Sequence, residues 1–531
     1  MSLTIRKATP ADAQNWLQLL KTALGSDPAA AQVYDLNRVG GQLTGPGVEE
    51  TWLAEVDGRL NASVSFLQPD SPTANPVANL GRYVALPESY ANGSAEALMA
   101  GVNEICAQRK HMAVTRVPGS DTAQQRLLEK LGYGCVGFQP LKHLCAAREN
   151  VLLYVRRSSS DGVARYSLSQ SLPEVAELGA VALGNLGLDG PERARDGLTG
   201  YPLCAELDIR EADLAEFEQA RLDAQEFHPP LEIFGQFNLG WGLLRVAADT
   251  PRKALLGRRE GRVTAGLTYY LDELDKCVRW VDAFATDDLS MGAVMRRAVE
   301  LAQGSFGAVY VEADLLATAP RALKTAEQLG FMPVAYLPGF YNWDGCGIDV
   351  VKMVKLNAGY TVEHSTLTPQ ARTVVDVVHR NFQDQKSGAA IITLLRTLPV
   401  FGGLGDGELG KIARLFTQKL YRPGEKVFSK GDRSNEAYVV MRGQIDIHLE
   451  ANGKPVASIG SGAIVGEQAF LDGAARNAFA IAAQPSILLI IQRPAFQRLI
   501  QSEPHLGMAI MRNIAIDVSN KLRQADAMMK R

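Results

Sequence analysis

Three pairs of segments recur in this 531-residue chain at an offset that stays near 200 residues. Leu3-Thr4-Ile5-Arg6-Lys7-Ala8 returns as Leu207-Asp208-Ile209-Arg210-Glu211-Ala212. The stretch from Trp52 to Leu60, with Asp57-Gly58 inside it, returns as Ala254 to Val263, with Glu260-Gly261. Leu127-Leu128-Glu129-Lys130-Leu131-Gly132-Tyr133 returns as Thr325-Ala326-Glu327-Gln328-Leu329-Gly330-Phe331. A fixed period means one folding unit used twice. Each unit has about 150 residues, an ordinary domain size. The rest of the chain leaves room for a third domain.

Within a unit the pattern reads strand, helix, hairpin, strand, helix, strand, helix, strand. In the second unit the hairpin is Ala254–Leu256 and Val263–Tyr270, turning at Glu260-Gly261. Val278–Ala285 is the next strand. A helix runs from about Met291 to Gln303, with Val294, Ala298 and Leu301 on one face. Ala308–Glu312 is a strand, Arg321–Leu329 a helix closed by Gly330, and Pro333–Leu337 a strand. The opening Ile-Arg-x-Ala, the acidic-Gly hairpin turn and the Leu-Gly-aromatic helix end, in that order twice, resemble the GNAT acetyltransferase fold.

That resemblance implies an acyl-CoA site at the loop that opens the long helix, where backbone N–H groups hold a pyrophosphate. The matching positions are Gly93, Ser94 and Ala95 in the first unit and Gly292 and Ala293 in the second. Tyr90 stands where the family has a polar or basic residue. Asp287 and Asp288 precede Gly292; they would repel a pyrophosphate but suit a bare helix N-terminus. Leu128 and Ala326 occupy the positions where many members carry a tyrosine as general acid. The remaining acid–base candidates are Asp282 and Glu312, with Asp314 nearby. A carboxylate there could take a proton from an attacking amine if burial raised its pKa. The bland alternative for each is a solvated strand-end acid or a helix cap. Tyr336, Tyr341 and Trp343 are groove candidates, though such aromatics more often fill cores or interfaces.

The C-terminal third has a different texture. Gly466-Glu467-Gln468-Ala469, a short turn and Arg476-Asn477-Ala478 combine the groups that a cyclic phosphate-sugar needs. Amides at a helix start hold phosphate oxygens, an arginine neutralises them, a carboxylate accepts from a ribose hydroxyl, and small residues allow close approach. Around this cassette, short strands alternate with glycine turns at Gly424, Gly431, Gly443 and Asn452-Gly453. They predict a small β-barrel or jelly roll. Residues 395–528 resemble the cyclic-nucleotide-binding domain family. The resemblance implies that Glu467 holds the ribose 2′-hydroxyl and Arg476 the cyclic phosphate, with Gly466, Gln468 and Ala469 supplying backbone. Ala475 stands where members often have proline, and Asn477 where many have serine or threonine, so cAMP and cGMP both stay open as ligands.

The resulting fold class is multidomain α+β: two GNAT-like mixed α/β domains, then a nucleotide-binding jelly roll with flanking helices. The expected divisions are 1–155, a linker with a helix at 156–204, 205–357, a helical connector at 358–398, and 399–531. Arg156 to Gly162 reads as the linker, and Leu172–Leu186 as a bridging helix. Thr368-Pro369 opens a helix that Ser387-Gly388 should break before a second short helix, Ile391–Leu398. A final helix from Glu503-Pro504 carries Leu506, Ile510, Ile514, Val518 and Leu522 on one stripe. It serves equally as a lid or as plain packing.

A net charge of −3 gives no field favouring nucleic acid or an anionic membrane. No apolar run is long enough to span a bilayer, and the first residues lack a signal-peptide core. No helix-turn-helix is evident after the sensor, so a transcriptional role is not expected. Six scattered cysteines and seven histidines show no ligand spacing, so no metal site is expected, and reduced thiols fit a cytoplasmic protein. The functional expectation is a bacterial cyclic-nucleotide-regulated acyltransferase, moving an acetyl group from acetyl-CoA to an amine such as a protein lysine. The family's lysine-directed members carry the sensor before a single acyltransferase domain, the reverse of this order. The alternative is a non-enzymatic sensor or scaffold whose α/β units have lost catalysis.

Overall fold

The computed structural model describes residues 2–24, 43, 48–67, 77–144, 148–157, 164–165, 171–190, 198–203, 206–225, 252–273, 275–343, 345–362, 366–404, 406–451, 453–502, 506–516 and 519. Residues 158–162 of the Arg156–Gly162 linker stretch, Asn452, Glu503-Pro504, Val518 and Leu522 lie outside them, as does the Trp343 side chain. The chain divides into two units, Met1–Asn381 and Phe382–Arg531.

In the first unit the repeat is visible as one string of elements laid down twice. The first copy is β1 (Leu3–Lys7), α1 (Ala13–Leu24), β2 (Val48–Val56), β3 (Arg59–Leu67), β4 (Val77–Ala85), α2 (Pro87–Ala91), α3 (Ser94–Gln108), β5 (Met112–Pro118), α4 (Thr122–Lys130), β6 (Gly134–Leu144) and β7 (Arg148–Arg156). After β8 (Ala164–Arg165) and α5 (Pro173–Gly184) comes the second copy. It runs β9 (Asp208–Ala212), α6 (Leu214–Gln225), β10 (Arg252–Arg259), β11 (Arg262–Asp272), β12 (Cys277–Ala285), α7 (Ser290–Gln303), β13 (Tyr310–Leu316), α8 (Pro320–Gln328), β14 (Met332–Trp343) and β15 (Cys346–Leu356).

All these strands share one sheet, in the order β1-β2-β3-β4-β5-β7-β6-β14-β15-β13-β12-β11-β10-β9, with β8 beside β15. Read inward from either edge, the connectivity is the same. Each half has one parallel step, β4 with β5 and β12 with β13. The irregularities repeat as well. β6 shifts register against β7 between Cys135 and Gly137, by one residue, and between Gln139 and His143, by two. β14 does the same against β15 between Pro333 and Ala335 and between Leu337 and Tyr341. Two bulges at matching places bend both central strands alike.

The closing strands β7 and β15 were not foreseen. Val350, Val351, Lys352, Met353 and Val354 are all buried. A strand covered on both faces shows no period-two alternation to read.

The halves join at the centre of the sheet, where Gly137 of β6 faces Ala335 of β14. A Cβ at Gly137 would lie 2.3 Å from the Ala335 Cβ, so only glycine permits this approach. The segments that follow each half then cross to the other. α5, after the first half, packs chiefly on β14 of the second. The segment after the second half returns to the first: Asn150 donates to the Thr361 carbonyl and the Cys135 amide to Gln370.

That returning segment opens α9 (Pro369–Thr397), a 29-residue helix. The expected break at Ser387-Gly388 does not occur. A mid-helix glycine costs only about 1 kcal/mol relative to alanine, which packed neighbours on either side can outweigh. Ala371, Val374 and Val378 of α9 are buried in the first unit, and Ile391 and Leu395 in the second.

The second unit contains the end of α9, α10 (Asp406–Ala413), β16 (Phe416–Tyr421), β17 (Lys426–Phe428), β18 (Glu436–Arg442), β19 (Gln444–His448), β20 (Ala457–Gly460), β21 (Ile464–Val465), α11 (Glu467–Asp472), β22 (Phe479–Ala482), β23 (Ser486–Gln492) and α12 (Arg493–Ser502). Two four-stranded sheets, β16-β23-β18-β21 and β17-β22-β19-β20, enclose a core. Tyr438, Val440, Leu488 and Ile490 point into it. The alternate residues Ala437, Val439, Leu489 and Ile491 face outward and pack with Ile391, Leu395, Phe470, Phe496 and Ile510. Strand alternation thus serves a core on each face of the same sheet.

No helix of the described residues is long and apolar enough to cross a membrane. Cys106, Cys135 and Cys277 are buried free thiols; Cys145 and Cys204 lie outside the described residues. No cluster fit for a metal occurs among the described residues.

Candidate functional site

The cassette forms around a left-handed glycine. Gly466 (φ 79°) ends β21 and starts α11, so Glu467 is the first residue of a short helix. Among its neighbours, Ala469 and Phe470 are buried, and Gln468 is exposed. Gly473 (φ 75°) reverses the chain, and Asp472 accepts from the Ala474 amide to tighten the turn. The chain then reaches Arg476, whose backbone pairs with the Gly431–Asp432 turn through Gly431 N to Arg476 O and Arg476 N to Asp432 O. Asn477 is exposed and donates to Gln468 at 3.2 Å; Ala478 is half-buried.

Arg476 is 3% exposed. Its Nε donates to Ser434 Oγ at 2.9 Å, one terminal nitrogen to the Gly466 carbonyl at 2.6 Å, and the other to the Glu436 carbonyl. Its carbon lies 4.4 Å from the centre of the Phe428 ring and 5.8 Å from that of Tyr438. These three bonds use three of the guanidinium's five N–H groups. Burial lowers its pKa, but a guanidinium so far above neutrality stays charged. The arrangement is a buried cation stacked on aromatics beside a helix start, fitted to an anion. Sequence reading named Arg476 and Glu467 but not Phe428, Ser434, Glu436 or Tyr438. The only signal for the aromatics was their inward position on β17 and β18. Beneath α11 lies an apolar cleft of about 570 Å³, open mouth included, lined by Glu467, Phe470, Leu471, Phe401, Phe496 and Ile510 among others.

The two α/β halves differ at their long helices. In the first, Gly93 (φ 79°) precedes α3, the Ser94 amide is held by Asn92 at 2.9 Å, and Ser94 and Ala95 are fully buried. The Ser94 hydroxyl has no hydrogen-bond partner among the described residues. A Cβ at Gly93 would meet nothing within 4 Å.

In the second half the helix start is taken, which corrects the expectation for Gly292 and Ala293. Asp287 accepts from the Leu289 and Ser290 amides, so the helix is capped by its own carboxylate. The Pro202 carbonyl lies 2.3 Å and the Tyr201 carbonyl 3.0 Å from where a Gly292 Cβ would be. The inter-repeat segment is pinned there by Tyr201 N to Thr325 Oγ1, 2.7 Å, and by Arg321 over the Tyr201 ring. Carbonyl oxygens over a capped helix start leave no place for a pyrophosphate.

The carboxylate candidates part ways too. Asp282 is 3% exposed, and burial pushes its pKa up to about 6, against Arg221 at 3.6 Å and Arg252 at 3.9 Å. A proton acceptor poised there fits acid–base work. The matching residue of β4 is Arg82, also buried, its pKa lowered to about 10 by desolvation. Glu312 is no such base. It pairs with Lys142 at 3.0 Å across the join of the halves and lies 3.8 Å from Lys352. Those cations, with Arg116 and Arg279, hold it far below the usual carboxylate range. Asp314 pairs with Lys352 at 2.5 Å. Tyr336 is core, its hydroxyl donating to Asp349.

Residues 418–503 match the family described as cyclic nucleotide-binding domain. Among curated relatives, the cyclic AMP receptor protein of Thermus thermophilus is 30% identical over 131 residues, 24% of this chain and 59% of that protein. A cAMP-dependent protein kinase regulatory subunit of Yarrowia lipolytica is 28% identical over 106 residues, 20% and 28%. Glutaminase 2 of Bradyrhizobium diazoefficiens is 29% identical over 124 residues, 23% and 20%. The chain thus spans less than two thirds of the length of these relatives. Among solved structures, the Thermus thermophilus catabolite activator protein is 29% identical, covering 25% of this chain and 62% of that one, with a TM-score of 0.23. By the family match, residues 418–503 form a cyclic nucleotide-binding domain.

Proposed function

We propose that the chain is a cyclic-nucleotide sensor that acts on a duplicated, GNAT-like α/β unit. The observation that carries it is Arg476, buried, stacked on Phe428 and hydrogen-bonded to Gly466 beside Glu467, inside the matched domain. Glu467 takes the ribose 2′-hydroxyl, Arg476 the cyclic phosphate, and Gly466, Gln468, Ala469, Asn477 and Ala478 line the ligand. cAMP is the favoured ligand, since two of the relatives that this domain resembles are named for cAMP; cGMP is the competitor.

The repeated strand order and the open start of α3 favour a second element of the reading. The first half binds an acyl-CoA such as acetyl-CoA over Gly93, Ser94 and Ala95. Transfer of the acetyl group to an amine, a protein lysine or a small one, requires more. The open helix start lies in the first half and the tuned carboxylate Asp282 in the second. That separation favours a binding unit without turnover over a complete acyltransferase.

Calorimetric titration of the whole chain with cAMP, cGMP and acetyl-CoA separately tests both elements. Binding of a cyclic nucleotide and of acetyl-CoA supports the full reading and justifies an acceptor screen. A cyclic nucleotide alone leaves a sensor whose α/β unit binds a partner. No cyclic-nucleotide binding overturns the proposal.

A further inference from the structure

The sensor follows the second half in sequence, but the chain between them is fastened to the first half. Thr122 and Gln125, both on α4, donate to the Thr366 carbonyl at 2.8 and 3.1 Å. Gln125 also accepts from the Thr368 amide at 3.0 Å, and Thr366 Oγ1 donates to the Ser120 carbonyl at 2.9 Å. The Thr368 hydroxyl donates to Glu129, at the far end of α4. Gln125 is fully buried, so its amide is committed to these bonds. The Tyr360 ring sits against Phe138 of β6 and edge-on to His379 of α9.

Two further relationships extend this contact in opposite directions. At its start, α4 is capped by Asp121, which accepts from the Gln124 amide. Asp121 lies beside Tyr90 of α2, two residues before Asn92 and Gly93 at the open start of α3. In the sensor, Ile391 and Leu395 of α9 share a core with Phe470, a residue of the cassette helix α11. Thr366 and Thr368 lead directly into α9, which starts at Pro369 and carries Ile391 and Leu395. The corresponding helix of the second half, α8, instead holds the inter-repeat segment through Tyr201 and Thr325.

We propose that cyclic-nucleotide binding is transmitted to the first half, through α9 and the contact that the residues leading into it, Thr366 and Thr368, make with α4, and not to the half that adjoins the sensor in sequence. This rests on the sensor reading above. A ligand shifts such a contact only if the nucleotide prefers one arrangement of the sensor core over another. Coupling of this kind is typically five- to 150-fold.

The test is hydrogen–deuterium exchange on the full chain with and without saturating cAMP, beside calorimetry on the same sample. The expected result is a change of about fivefold or more in amide exchange for 122–130 and 366–370. Residues 320–328 should change less than about twofold. Gln125→Leu should keep cAMP affinity within about twofold and keep the response at 466–476, while the response at 122–130 falls below about twofold. cAMP binding with the change at 320–328 instead, or at neither helix, overturns the inference. A full response at 122–130 in folded Gln125→Leu does so as well. Should that variant fail to fold, the parent's two helices decide alone. Absence of cAMP binding by calorimetry removes the sensor reading itself, which is a different outcome.

Discussion

Gly137 and Ala335 face each other across the centre of the sheet, and they are the same residue of the repeat, 198 positions apart. The local two-fold relation between the halves therefore passes between them, as at the symmetric interface of a dimer. One side is glycine because the Val334 carbonyl would lie 2.8 Å from an added Cβ, besides the 2.3 Å contact with Ala335. Gly137→Ala should cost about 1–3 kcal/mol, the usual price of overpacking. Chemical denaturation of the variant followed by tryptophan fluorescence checks this; unchanged stability would mean that the strands are farther apart.

Gly466 is pinned from two sides. Its φ of 79° disfavours any side chain, and an added Cβ would lie 2.4 Å from the Arg476 terminal nitrogen. Gly466→Ala should therefore displace the guanidinium and weaken cAMP as much as losing it does. Arg476→Ala removes a charge-assisted contact of about 1.5–3 kcal/mol, so affinity should fall roughly ten- to a hundredfold. Titration calorimetry of both variants measures it. Equal affinity in Arg476→Ala would remove that residue from the ligand.

Lys142 and Glu312 come from different halves and are both buried, so each neutralises the other in low dielectric. Removing one charge leaves the other uncompensated, at about 3–5 kcal/mol. Glu312→Gln should approach that loss, and Lys142→Met combined with Glu312→Gln should lose less than the two single changes added. A double-mutant cycle by denaturation reads the coupling; simple additivity would mean that the pair is not coupled.

Gly388 lies in the described course of α9, and a Cβ there would meet nothing within 4 Å. In a continuous helix, Gly388→Ala should stabilise by about 0.5–1 kcal/mol. A helix broken at Ser387-Gly388 would instead gain nothing or lose stability. Thermal unfolding with helical circular dichroism separates the two.

The duplicated architecture was legible because it leaves local marks: the hairpin turns at Asp57-Gly58 and Glu260-Gly261, and the Leu-Gly-aromatic helix ends, each need particular residues. The cassette was legible for the same reason, since Gly466 and Arg476 have few substitutes. What sequence concealed depends on distant segments. Nothing local to Gly292 announces that Tyr201 and Pro202 cover it, and nothing in Thr366 names Gln125 as its partner. Glu312 looked like Asp282, a strand-borne acid after an apolar run. Their difference lies in which cations arrive from elsewhere: two buried lysines, with Arg116 and Arg279, for Glu312, and two partly exposed arginines for Asp282.

Asp282 gives the clearest pH signature. Its folded pKa of about 6 lies above the unfolded value of about 3.9. Between those values the folded chain holds a proton that the unfolded chain releases, so the contribution of this group to stability declines as pH rises from about 4 to 6. Asp282→Asn cannot titrate and escapes that loss. Its stability relative to the parent should therefore improve across the window, by about 2–3 kcal/mol at one pKa unit per 1.36 kcal/mol. Denaturation of both chains at pH 4 and pH 7 reads the difference directly. A gap independent of pH would mean that Asp282 titrates normally and that Arg221 and Arg252 offset its burial in full. Asp282 would then lose its standing as a base poised near neutrality, and with it the strongest argument for proton transfer in the second half.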